Sequence, residues 1–194
     1  MRRRTFDALM VFAGLALAAI LLVAGGLLTW GSSFVSSEVH NQLAAQKIVF
    51  PAANSPAIKA PEFAAMKQYA GQTMTTGAQA EVYADHFIAN HLNEAAGGLT
   101  YSQVSTLALA HPTNAKYAAQ DAVLFKGTTL RSMLLNAYGF GTMGQIAGIA
   151  AIVAFVGAAL MLILSFLGLA HLRRVPEQKE VLASVAHPAK VQVA

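Results

Sequence analysis

The sequence predicts an all-α membrane protein in which two transmembrane helices flank a small helical extracytoplasmic domain. Ala8 to Trp30 and Ile146 to Ala170 contain no Asp, Glu, Lys, Arg or His. At about 23 and 25 residues, each run is long enough to cross a hydrocarbon layer of ~30 Å as a helix. The apolar share of 56% and the charged share of 11% favour a membrane class over a soluble or disordered one. The segment between the runs is punctuated by helix-capping signals and glycines at short intervals.

Charge placement sets the expected orientation. The net charge is +4, but Lys47, Lys59, Lys67, Lys116, Lys126 and Arg131 are balanced by Glu38, Glu62, Glu81, Asp85, Glu94 and Asp121 in the middle of the chain. The excess lies at the ends, in Arg2, Arg3, Arg4, Arg173 and Arg174, so nothing argues for nucleic-acid binding. Arginines flanking apolar runs favour the cytoplasmic side. The expected organisation is a basic cytoplasmic N-terminus (1–7), a first span (8–30) and an extracytoplasmic helical domain (31–143). A second span (144–171) and a cytoplasmic tail predicted to be disordered (172–194) complete it. The first apolar run exceeds the usual 7–15 residues of a signal-peptide core, which favours a retained anchor. The chain has no cysteine, which excludes disulfides, thiolate metal sites and cysteine nucleophiles.

The first helix is expected to run past the membrane, since Phe34, Val35, Val39 and Leu43 recur at helical spacing. Trp30 suits the interface. Lys47 to Phe50 reads as a short extended run ended by Pro51, followed by an irregular loop over 51–61. Pro61 to Tyr69 reads as a short helix, with Pro61 in its first turn and Gly71 beyond its end. Thr76-Gly77-Ala78-Gln79 is a capping box opening a helix that Gly97-Gly98 terminates, with Tyr83, Ala84, Phe87, Ile88, His91, Leu92 and Ala95 as its apolar stripe. A second capping box, Thr100 to Gln103, opens a helix to about Ala110, broken at His111-Pro112. A further helix is expected from Asn114 to Lys126, stopped by Gly127. Thr128 is then expected to cap an element over 129–138 that turns into the second span, with Gly139, Gly141 and Gly144 providing a bend or a close approach. Pro176 marks its exit.

The densest set of potential ligands is Asp85, His86, Asn90, His91 and Glu94. His91 and Glu94 are i,i+3 neighbours, as two donors to one metal would be. His86 and His91, five residues apart, diverge by about 140° on a regular helix. His86, His91 and Glu94 are therefore the metal candidates, against the plainer reading of a half-buried His91 beside solvated neighbours. No G-x-S-x-G elbow or P-loop occurs, and the glycine spacing at Gly139, Gly141 and Gly144 follows no expected strand but sits between apolar helices, which argues against phosphate binding there. The spans carry small residues at helical spacing: Gly144 and Gly148, Ala154 and Ala158, and Gly14 and Ala18. Such positions let helix backbones approach closely in lipid. The apolar runs 8–30 and 146–170 hold no ionisable residue, as an ion or proton pathway would require.

Val39 to Pro51, Gly98 to Ser105 and Leu134 to Phe140 resemble a family of small actinobacterial two-span membrane proteins, the resemblance covering most of residues 8–174. Members are sometimes labelled aromatic ring-opening dioxygenases. That label implies a non-haem iron site on a soluble fold, which no residue pattern here supports. The resemblance implies a source and a topology, and no functional residue is carried over from it.

Together these features predict a non-enzymatic integral membrane protein of the cell envelope, an accessory or assembly subunit that needs no cofactor. Its expected partners are the lipid bilayer and other membrane subunits or further copies of itself. The alternative is an extracytoplasmic binding or sensor module for a metal or a small lipophilic ligand.

Overall fold

A computed structural model describes residues 3–174. The tail beyond 174, with Pro176, and the first two residues lie outside them. The described residues are helical, with no strand; five α-helices account for most of them, in the order α1 (Arg3–Ala45), α2 (Gly77–Val82), α3 (Ala89–Ala96), α4 (Tyr101–Ala110) and α5 (Ala115–Leu172). Helices α1 and α5 run for 43 and 58 residues. Both contain windows long and apolar enough to cross a membrane. The chain divides into two compact units, residues 31–147 and the remainder.

In the first unit, residues 3–30 of α1 pair antiparallel with residues 148–172 of α5. The pairing is fixed by glycines: a Cβ on Gly14 would collide with Ser165, one on Gly168 would lie 2.6 Å from Val11, and one on Gly157 would lie 3.3 Å from Leu21. The buried positions on α1 are Val11, Ala18 and Gly25; on α5 they are Ala151, Ala154, Ala158 and Ser165. Each helix thus repeats its inward positions at sevens, the interval that keeps two long helices in register along a seam. Large apolar side chains point the other way, Ile20, Val23 and Ile152 being nearly two-thirds exposed.

The second unit has a core of large side chains. Phe50, Ile58, Met66 and Met74 are almost fully enclosed, with Leu43, Phe63, Ile88 and Leu134 packed among them. After α1 the backbone turns at Lys47, in the left-handed region at φ 53°. The expected extended run makes an isolated antiparallel bridge, Val49 to Thr73. Phe50 N–H donates to Gln72 O and Met74 N–H to Ile48 O, which drives Phe50 and Met74 inward.

Pro61–Tyr69 is a 3-10 helix rather than an α-helix. Three residues per turn place Phe63, Met66 and Tyr69 on one face, and all three pack into the core. The helix opened by Thr76 has its capping box in place, and Gly97, at φ 63°, closes it. Between α2 and α3 the chain winds as a π-helix over Tyr83–Ile88. This wider turn corrects the expected stripe. In a regular helix an i+4 series drifts about 40° per step. Here Ala80, Ala84, Ile88, Leu92 and Ala96 all remain on packed positions, while His91 and Ala95 are exposed.

The capping box at Thr100 and the break at His111 hold as expected. The expected stop at Gly127, cap at Thr128 and bend at 139–144 do not occur, because α5 continues through all of them. Thr128 donates its hydroxyl back to Leu124 O, a bond made inside a helix. Gly127 lacks the Cβ that would strike Leu92, and buried Gly144 admits Val35, so these glycines serve close packing rather than termination. An interior glycine costs only about 1 kcal/mol relative to alanine, which a long packed helix tolerates.

Candidate functional site

Within residues 31–147, α1 and α5 are held together where Ser32 Oγ donates to Gly144 O at 2.7 Å. Both helices also line a groove of about 540 Å³, within the range of small-molecule sites. Its floor is Val35, Val39 and Leu43 from α1 with Leu134 and Ala137 from α5. Phe34, Leu130, Met133 and Phe140 stand at its edges, 40–63% exposed. Large apolar side chains clustered open at a concave surface mark a place where something binds. Polar groups are confined to Glu38 and Gln42 on α1, Gln46 in the turn just after it, and Asn136 on α5. Gln42 Nε2 donates to Glu38 Oε1, fixing the carboxylate along α1. Glu38 is the one ionisable side chain among the lining residues, and no Ser, Thr, Tyr or His joins it. The lining is thus apolar apart from one carboxylate and three carboxamides.

The metal candidates do not converge. His86 Nδ1 lies 3.3 Å from Glu62 O and His91 Nδ1 lies 2.7 Å from Phe87 O. The His91 ring rests against Phe87 and Phe63 at the rim of an aromatic cluster. Glu94 is exposed near the end of α3. Among the described residues no three His, Asp or Glu side chains approach one another as metal ligands would. Asp85, from the same sequence cluster, pairs instead with Arg131 at 2.7 Å.

The helix-packing candidates lie where close approach occurs. Gly14 faces Ser165, Ala18 and Ala158 are fully buried, Ala154 is buried, Gly144 packs on Val35 and Gly148 is half-buried. A second cleft, of about 610 Å³, opens within the helix pair where Asp7 and His171 join Met10, Leu17 and Leu164.

The groove escaped the sequence reading. Phe34, Val35, Val39 and Leu43 are visible there as one helical face, and Leu130, Met133 and Leu134 as another. About ninety residues separate the two faces, and only the return of α5 beside α1 brings them together. No family model, curated protein or solved structure matches the chain.

Proposed function

We propose that this chain is a two-span protein of the cell membrane, both termini cytoplasmic, whose unit 31–147 stands outside and receives a small lipophilic ligand in the α1–α5 groove. The orientation rests on the arginines beside the two apolar runs. The ligand reading rests on one observation: Phe34, Met133 and Phe140 line a concave site while more than half exposed. Leaving that much apolar surface in water is unfavourable by roughly 25 cal/mol per Å², so an apolar occupant is strongly favoured.

The test is extraction of lipophiles from the purified full-length protein, set beside an Ala137→Phe variant whose added ring fills the groove floor. A lipophile retained by wild type and lost from the variant is the expected result; equal recovery from both would discard the reading. The chain lacks cysteine, so a single Ala53→Cys probes topology cleanly, and labelling from outside intact cells is expected.

The second reading, an accessory or assembly subunit, is supported by Gly26, which has open space on its side of α1 where another helix could approach. Gly14, Ala18, Ala154 and Ala158 lend it no support, because pairing α1 with α5 already uses them. A co-purifying subunit seen by native mass spectrometry and displaced by Gly26→Leu would favour it.

A further inference from the structure

The groove's one charge narrows its ligand class, given the reading above that it binds a lipophile. Glu38 lies midway along the α1 wall, with apolar Phe34 and Val35 on one side and the carboxamides of Gln42 and Gln46 on the other. Asn136 adds a third carboxamide across the groove, and no Lys, Arg or His lines it. An anionic head, whether carboxylate, sulfate or phosphate, would accept from the carboxamide N–H groups but face the like charge of Glu38 with no cation in the lining to offset it. A purely apolar ligand would cover the Glu38 carboxylate without replacing its lost water. A positively charged head both pairs with the carboxylate and donates to the carboxamide oxygens.

We propose that the groove selects a cationic amphiphile, its apolar chain on Phe34, Val35, Leu134 and Phe140 and its ammonium head against Glu38. The experiment uses the full chain in phosphatidylcholine nanodiscs, with an environment-sensitive dye on Ala45→Cys beside the groove. Decylammonium, decyl maltoside and decyl sulfate share one chain and differ in head charge. The expected result is that the ammonium binds about fivefold more tightly than the maltoside, the sulfate more weakly, and that Glu38→Gln abolishes the ammonium preference. Unchanged maltoside binding to Glu38→Gln would show that variant to be folded. Equal binding of all three heads, or a preference that survives Glu38→Gln, overturns the charge selection and leaves the groove reading standing. Failure of every probe to bind, or binding that Ala137→Phe does not weaken, overturns the groove reading and this inference with it.

Discussion

The helix pair of residues 3–30 and 148–172 buries Val11, Ala18, Ala151, Ala154 and Ala158 and turns Phe12, Ile20, Leu27 and Ile152 outward. Residues 31–147 do the reverse, enclosing Phe50, Ile58, Met66 and Met74. In water, enclosing large apolar side chains is the main driving force for packing. In lipid it offers nothing, because lipid tails are as apolar as leucine, and helices associate through small residues instead. On the proposal that the helix pair lies in lipid and residues 31–147 in water, substitutions of one kind should have unlike effects in each region.

The largest contrast is expected from truncating side chains. Phe50→Ala should destabilise the 31–147 unit by about 3–5 kcal/mol, because Phe50 is 1% exposed and contacts Tyr69 and Tyr83. Ile20→Ala, 63% exposed before the change, should leave the helix pair nearly unaltered. Hydrogen exchange resolved along the full-length chain separates the two regions, and comparable losses of protection would break the comparison.

Charge insertion runs in the opposite sense. Ile152 and Leu109 are both well exposed, at 64% and 81%. Ile152→Lys should impair membrane insertion, at a cost below the ~2.5–3.5 kcal/mol of a lysine at the centre of a span because Ile152 lies about a quarter of the way into the run 146–170. Leu109→Lys, at the end of α4, should change little, as exposed substitutions in water stay within roughly 0.5 kcal/mol. An insertion assay in which both variants behave alike would remove the claim that the regions face different solvents.

Close approach gives a smaller and more local difference. A Cβ on Gly77 would sit 3.0 Å from Ala137 O and Tyr138 Cα, backbone atoms that cannot rotate away. Gly77→Ala should therefore cost about 1–3 kcal/mol. Gly14→Ala meets only the rotatable hydroxyl of Ser165, so its cost should be lower and relieved by adding Ser165→Ala. A double-mutant cycle in thermal denaturation checks both, and an equal cost at the two glycines would refute the distinction.

The parts of this architecture written in local sequence were legible. Thr76 and Gln79, and Thr100 and Gln103, close their capping boxes as their spacing predicts. The apolar runs are long helices long enough to span a membrane, without any long-range contact being needed to infer them. Three features depended on packing and were not legible. Gly127 and Gly139 look like stops, but α5 runs through both, and Gly127 borders Leu92. The π-helix at Tyr83–Ile88 is set by what the helix packs on, so His91 left the buried face that regular periodicity assigned it. The groove is lined by Phe34 and Glu38 from α1 and by Asn136 and Phe140 from α5, and no local pattern encodes that juxtaposition.

The smallest expected effect uses an asymmetry in the chromophores. All five tyrosines, Tyr69, Tyr83, Tyr101, Tyr117 and Tyr138, belong to residues 31–147, while the single tryptophan, Trp30, belongs to the helix pair. Tyr83 packs on Phe50 and Phe87, and burial raises its phenol above the ordinary value of 10.0. The folded state thus holds this proton more tightly than the unfolded chain does. The resulting stabilisation is complete below the ordinary tyrosine range and is lost as pH rises through it toward the raised value. Phenolate absorbance should accordingly show one tyrosine titrating late, and Tyr83→Phe should delete that step alone. Over the same alkaline range the 31–147 unit should lose stability while Trp30 fluorescence stays constant. A Trp30 signal that moves together with the phenolate step would mean that the two regions respond as one, and the contrast between them would fail.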